Sequence, residues 1–125
     1  MTLYDAIGNF DKEHPNNADF SLKVQWISQL EHKVYAEMLS PRGGGEFKGY
    51  TVETPQDTLL AVPDAFGEIY TYYLKMCLDL HNSEIDRFNN SAVMFNRMYK
   101  ELFDYVNRNK RVVKSVRITA GDLIV

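Results

Sequence analysis

The 125-residue chain predicts a mainly α fold: a small bundle of four to five helices built on a long central helical hairpin, with a long irregular loop over about 41–62 and a C-terminal extended arm or short strand. Between Ser83 and Asn107, the residues Ile85, Phe88, Ala92, Phe95, Tyr99, Leu102 and Val106 recur at alternating steps of three and four, a spacing that only a helix gathers on one face. Just before them, Phe66, Ile69, Tyr73, Met76 and Leu80 repeat the alternation and end at His81-Asn82, two short polar residues suited to a turn. Between Pro41 and Val62 the periodicity is lost to glycines, prolines and isolated aromatics. Two long helices side by side, preceded by an irregular segment, follow from these patterns.

The first helix opens at Thr2, a good N-cap with Asp5 three residues on, and carries Leu3, Ala6, Ile7 and Phe10 on one face until His14-Pro15 stops it. Asn16 to Asp19 reads as a loop. The second helix spans about Ser21 to Leu39 on a stripe of Trp26 or Ile27, Leu30, Val34 and Met38, and ends near Ser40-Pro41. In the loop that follows, short strand pieces at Tyr50–Val52 and Thr58–Ala61 are expected to tie the chain down; a loop of more than about 15 residues inside a compact domain is usually functional or disordered. Pro63-Asp64 is a helix start, because proline tolerates the first turn and a carboxylate suits the positive end of the helix dipole. The third helix runs to about Leu80, with Tyr70, Tyr72, Leu74, Cys77 and Leu78 adding apolar bulk around its stripe, so it should be the most enclosed. The fourth helix, Ser83 to Asn107, would be about 37 Å long at roughly 1.5 Å per residue, with Asn89-Asn90-Ser91 as the place for a kink or break. Beyond Arg111, Val112, Val113, Val116 and Ile118 interleaved with Lys114 and Arg117 read as an extended arm. The domain division is a helical domain over 1–111 and an arm over 112–125.

Composition fits one soluble domain: 45% hydrophobic and 25% charged, with eight Tyr and seven Phe supplying flat rings for the core. Cys77 is the single cysteine, so no intrachain disulfide forms, and its apolar setting makes it a small core residue. No run approaches the roughly 18 apolar residues of a membrane span, and no leader segment is evident, so the expectation is a soluble intracellular protein without membrane contact. The net charge of -3 is segregated. Asn107–Val125 holds Arg108, Lys110, Arg111, Lys114 and Arg117 against Asp122, a net +4, which leaves -7 on the rest. An acidic body argues against wholesale nucleic-acid binding, and an acidic partner surface, including that of a second copy, suits the basic tail.

Residue types that carry chemistry are scattered. Asp79, His81, Glu84 and Asp86 cluster near one turn, but the Glu-x-x-His pairs of a bundle metal site do not occur, so they read as a solvated turn. His14 and His32 read as surface residues, with His32 between Glu31 and Lys33 on a polar face. No nucleophile elbow or Cys-His pair exists for covalent catalysis. Arg42-Gly43-Gly44-Gly45 lacks the Lys-Ser/Thr ending and following helix of a phosphate loop and reads as a flexible tip. Met38, Met76, Met94 and Met98 read as core filling, and Arg87, Arg97 and Lys100 among Asp86, Glu101 and Asp104 as a solvated face. No enzyme and no cofactor are expected.

The stretch Leu60-Ala61-Val62-Pro63-Asp64-Ala65-Phe66-Gly67-Glu68-Ile69-Tyr70-Thr71-Tyr72-Tyr73-Leu74, the stretch Asn82-Ser83-Glu84-Ile85-Asp86-Arg87-Phe88-Asn89-Asn90-Ser91, and the later Phe95-Asn96 and Tyr105-Val106-Asn107-Arg108 resemble the head-tail connector, or head-completion adaptor, proteins of tailed bacteriophages and prophages. The likeness covers roughly residues 1 to 110, and Arg87, Phe88, Asn89, Asn90 and Ser91 form its most specific motif. The resemblance implies an all-helical virion structural protein. Such a subunit assembles as a ring, twelvefold in the assembled state, beneath the portal protein. It extends the DNA channel without sequence-specific binding and offers a docking surface to a tail or stopper protein. It also implies a place in the virion, and in the host cytoplasm during assembly. Candidate contacts with neighbours or portal are Arg42, Gly43, Gly44, Phe47 and Tyr50 in the loop, and Lys114, Val116, Arg117 and Ile118 in the arm. Arg87, Asn89 and Asn90 are expected to cap the turn within one subunit. The alternative is a small helical nucleic-acid-binding or regulatory domain using the basic tail, and a helical metal protein or enzyme is a third class.

Overall fold

The computed structural model describes residues 1–108, and the arm residues Lys114, Val116, Arg117 and Ile118 lie outside the described residues. Four α-helices build the fold: α1 (Leu3–Glu13), α2 (Phe20–Val34), α3 (Glu68–His81) and α4 (Ile85–Arg108). The chain is mainly helical, and no strand occurs among the described residues.

The start of α1 forms as its sequence dictates. The Thr2 hydroxyl accepts from the Asp5 amide at 3.0 Å and the Asp5 carboxylate accepts from the Thr2 amide at 3.2 Å, a reciprocal capping box. Leu3, Ala6, Ile7 and Phe10 are all buried. Helix α2 continues past Val34 in a wider π turn, Tyr35–Leu39, and then tightens into a 3₁₀ turn, Ser40–Arg42. Pro41 accounts for the change, since it lacks an amide proton and its ring collides with the carbonyl four residues back. Gly43 closes the turn at φ 85°.

The expected strand pieces do not form. Thr58–Ala61 instead runs beside the entry to α1 through one antiparallel bridge, Thr2 to Leu59, with the Leu3 amide donating to Thr58 O at 2.9 Å and the Leu60 amide to Met1 O at 3.0 Å. Tyr50–Val52 pairs with no backbone partner strand among the described residues. A ladder needs two extended neighbours, and here the only neighbour turns into a helix after one residue.

Helix α3 is central: it contacts α1, α2 and α4, and its pairing with α4 is the most extensive in the molecule. Ile69, Tyr70, Leu74 and Leu78 are its buried residues, whereas Leu80 at the end of the expected stripe is 54% exposed. The stripe is therefore rotated toward the Tyr70-Leu74-Leu78 row. Helix α4 runs unbroken through Asn89-Asn90-Ser91 over about 36 Å at roughly 1.5 Å per residue. Phe95, Leu102 and Val106 carry its buried face, and Ile85, the first residue of the expected stripe, is 54% exposed. Met38 is fully buried, Met76 and Met98 pack against the core, and Met94 lies outside it. Cys77 is half-buried beside the core, and burial pushes its thiol up to about 12. No helix among the described residues is long and apolar enough to cross a membrane.

Candidate assembly interface

Four of the five loop candidates are engaged by their own chain. Arg42 is folded back: Nη1 donates to the Met38 carbonyl at 2.7 Å and Nη2 donates to Asn107 Oδ1, joining the end of α2 to the end of α4. Gly44 sits so close to α2 that a Cβ there would lie 2.8 Å from the Leu39 carbonyl oxygen, and its amide donates to that oxygen at 2.7 Å. The glycine run is thus a fitted helix cap and not a flexible tip. Phe47 stacks on Tyr35 at 5.2 Å and meets the edges of His32 and Tyr50, each at 4.7 Å. The Tyr50 amide donates to Ser28 Oγ at 3.0 Å. Gly43 remains exposed, and the apolar residues that this loop turns outward are Val52 and Leu59, which periodicity does not single out.

A buried carboxylate organises the inner side of the loop. Glu31 is completely enclosed, not on a polar face. Its Oε1 accepts from the Tyr70 hydroxyl at 2.6 Å, and its Oε2 accepts from the Tyr50 hydroxyl at 2.9 Å and the Ala61 amide at 3.0 Å. The Tyr70 oxygen also accepts from the Val62 amide at 3.1 Å. One side chain on α2 therefore holds α3 and both halves of the loop. Burial raises the Glu31 carboxyl above its usual range against the pull of these donors, and no cation among the described residues pairs with it. The signal for this position was its spacing: Glu31 falls four residues after Ile27 and seven before Met38, inside the apolar stripe.

The motif at the start of α4 divides into two halves. Ser91 is buried and its hydroxyl donates to Asp79 Oδ2 at 2.7 Å, while Lys75 Nζ lies 2.5 Å from Asp79 Oδ1. The Glu84 amide donates to the Asp79 carbonyl at 2.8 Å, closing the α3–α4 turn, in which Ser83 takes a left-handed φ of 58°. Phe88 is half-buried. Arg87, Asn89 and Asn90 are exposed; Arg87 reaches Glu84 at 3.2 Å, and the side chains of Asn89 and Asn90 hydrogen-bond to nothing among the described residues. The asparagines do not cap the turn. Ser91, placed between Phe88 and Phe95 on the stripe, does the work expected of them.

The acidic turn does not assemble a metal site. Asp79 faces inward to Lys75 and Ser91, Glu84 pairs with Arg87, Asp86 points to solvent, and His81 sets its ring against Trp26 at 5.9 Å. No group of three or more His, Cys, Asp or Glu able to hold a metal occurs among the described residues. His14 is half-buried against Phe10, with ring centroids 5.7 Å apart, and so is not a plain surface residue.

Two depressions flank the turn. A polar cleft of about 630 Å³ lies between the α1–α2 loop and the α3–α4 turn, with Glu13, His14, Lys75, Asp79, Glu84 and Arg87 in its lining. An apolar groove of about 440 Å³ runs between α2, α3 and α4, lined by Trp26, Tyr73, Met76, Cys77, Leu80 and Phe88, and shares His81 with the cleft. Leu80 of its lining is 54% exposed, and Ile85, three residues before Phe88, is equally exposed. Comparison of the chain with protein-family models, curated proteins and solved structures finds no match in any of the three.

Proposed function

We propose that this protein is a structural subunit of a phage head-tail connector, acting by contact and not by catalysis. The observation that carries the reading is the divided motif of α4. Ser91 and Phe88 fasten the helix to its own subunit, and Arg87, Asn89 and Asn90 stand on the surface beside an apolar groove. Exposed amides without an internal partner, next to uncovered apolar side chains, have the composition of a contact surface with a polar rim. The helical bundle agrees with the fold that the resemblance implies.

In this reading identical subunits join head to tail into a ring on the portal, the surplus of carboxylates keeps passing DNA from adhering, and a tail or stopper protein docks on the exposed end. The protein then belongs to the virion and is assembled in the host cytoplasm. Mixing the purified chain with its portal protein and imaging by electron microscopy tests this. Rings seated coaxially on the portal are expected, and a chain that never binds portal would overturn the assignment.

A further inference from the structure

We infer that the apolar groove between α2, α3 and α4 receives the C-terminal segment 109–125 of a neighbouring copy. The inference deepens the connector reading and rests on it. The groove lies at the α3–α4 turn, where Leu80 and Ile85 are each 54% exposed and Trp26, Met76 and Phe88 form the walls. The segment leaves the fold at Arg108, the opposite end of α4, about 36 Å away at roughly 1.5 Å per residue. Groove and segment thus sit at the two ends of one rod, the arrangement by which a heterologous contact propagates from copy to copy.

The sequence of the segment selects the neighbour over self-coverage. An extended chain advances about 3.3 Å per residue, so a tail doubling back along its own α4 spends about 11 residues on the return. The first residues to reach the groove would then be Ala120–Val125, a stretch with Asp122 and no base. The part that suits the site is Val112–Ile118, in which Lys114 and Arg117 are interspersed among Val112, Val113, Val116 and Ile118. On an extended strand Val112, Val116 and Ile118 share one face, which fits the groove with the stem of Lys114 along its edge, and Arg117 stands on the opposite face toward the surrounding carboxylates. Those carboxylates are present: Glu13 in the adjoining cleft and exposed Asp86 on α4 make no ion pair among the described residues. Lys110, Arg111, Lys114 and Arg117 against Asp122 give the segment a surplus of positive charge, and the rest of the chain is acidic.

Two full-length variants test the pairing. Leu80→Asp spoils the groove at an exposed lining position and leaves the core intact; Val116→Asp with Ile118→Asp spoils the segment. By native mass spectrometry, the wild type should self-associate at least tenfold more tightly than either variant. A mixture of the two variants should recover one-to-one dimers that grow no further, because one intact segment and one intact groove remain. Where the wild type is monomeric without portal, a synthetic 109–125 peptide added to the segment variant should shift the emission of Trp26, the sole tryptophan, and the groove variant should not respond. Unchanged association of the segment variant, a mixture that stays monomeric while the wild type associates, or neither association nor a Trp26 response would each overturn the inference. Rings of the segment variant on the portal, equal to those of the wild type, would sink this inference while leaving the connector reading standing; absence of rings from every form would sink the reading itself.

Discussion

Glu31 joins three hydrogen-bond donors to a fully buried carboxylate that has no cation paired with it among the described residues, so its ionised form is held at a cost. Its folded-state pKa stands above 4.5, and the sign of the pH effect follows. The folded state binds the proton more tightly than the unfolded chain, so this residue adds stability as the pH falls through the folded value toward 4.5 and withholds it at neutrality. Compared with Glu31→Gln, the wild type should therefore gain in urea midpoint as the pH is lowered from 7 toward 4.5. A gap that stays constant, or moves the other way, would show that burial is not the controlling effect. Tyr70→Phe acts at the same site by stranding both Glu31 Oε1 and the Val62 amide, and should destabilise by about 3 kcal/mol, since each unsatisfied buried group costs roughly 1–3 kcal/mol. Chemical unfolding of that variant reads the loss directly. None of this is visible in a charge-versus-apolar pattern, because a Glu counts as polar wherever it stands; only its place in the Ile27-to-Met38 stripe marks it.

Helices were legible wherever local rules decide them. The Thr2–Asp5 box, the stop at Pro15 and the long α4 all follow from capping, proline chemistry and periodicity, which act within a few residues, whereas Pro63-Asp64 opens a single 3₁₀ turn, Asp64–Phe66, and α3 starts only at Glu68. The end of the second helical run near Leu39 was legible too, but the glycine cap and the loop were not, because Gly44 and Arg42 answer to Leu39 and Asn107, contacts that only the folded chain creates. The glycines separate the two cases experimentally. Gly8 lies within α1 with nothing within 4 Å of a built Cβ, so Gly8→Ala should raise stability by about 0.5–1 kcal/mol through helix propensity and reduced unfolded-state freedom. Gly44→Ala drives a methyl against the Leu39 backbone and should lower stability by about 2 kcal/mol, within the range for overpacking. Thermal melts of the two variants moving in the same direction would contradict this account of the loop.

At the scale of the whole molecule the charges divide between one end and everything else. Six ion pairs neutralise part of the described surface, yet Glu13, Glu46, Glu53, Asp57, Glu68, Asp86 and Glu101 make none among the described residues, and beyond Arg108 four bases stand against Asp122. In the pairing inferred above, the basic end meets the acidic body of the next copy, an attraction screened over about 10 Å at 0.1 M salt. Association of the full-length protein, alone or templated by portal, should therefore weaken as salt is raised. Replacing Lys110, Arg111, Lys114 and Arg117 by Gln should flatten that dependence as well as weaken binding, because the screened term is then absent. Sedimentation velocity across a salt series measures both effects. Association that strengthens with salt would assign the contact to the apolar groove alone, since excluded salts favour apolar burial while screening can only oppose an attraction of opposite charges.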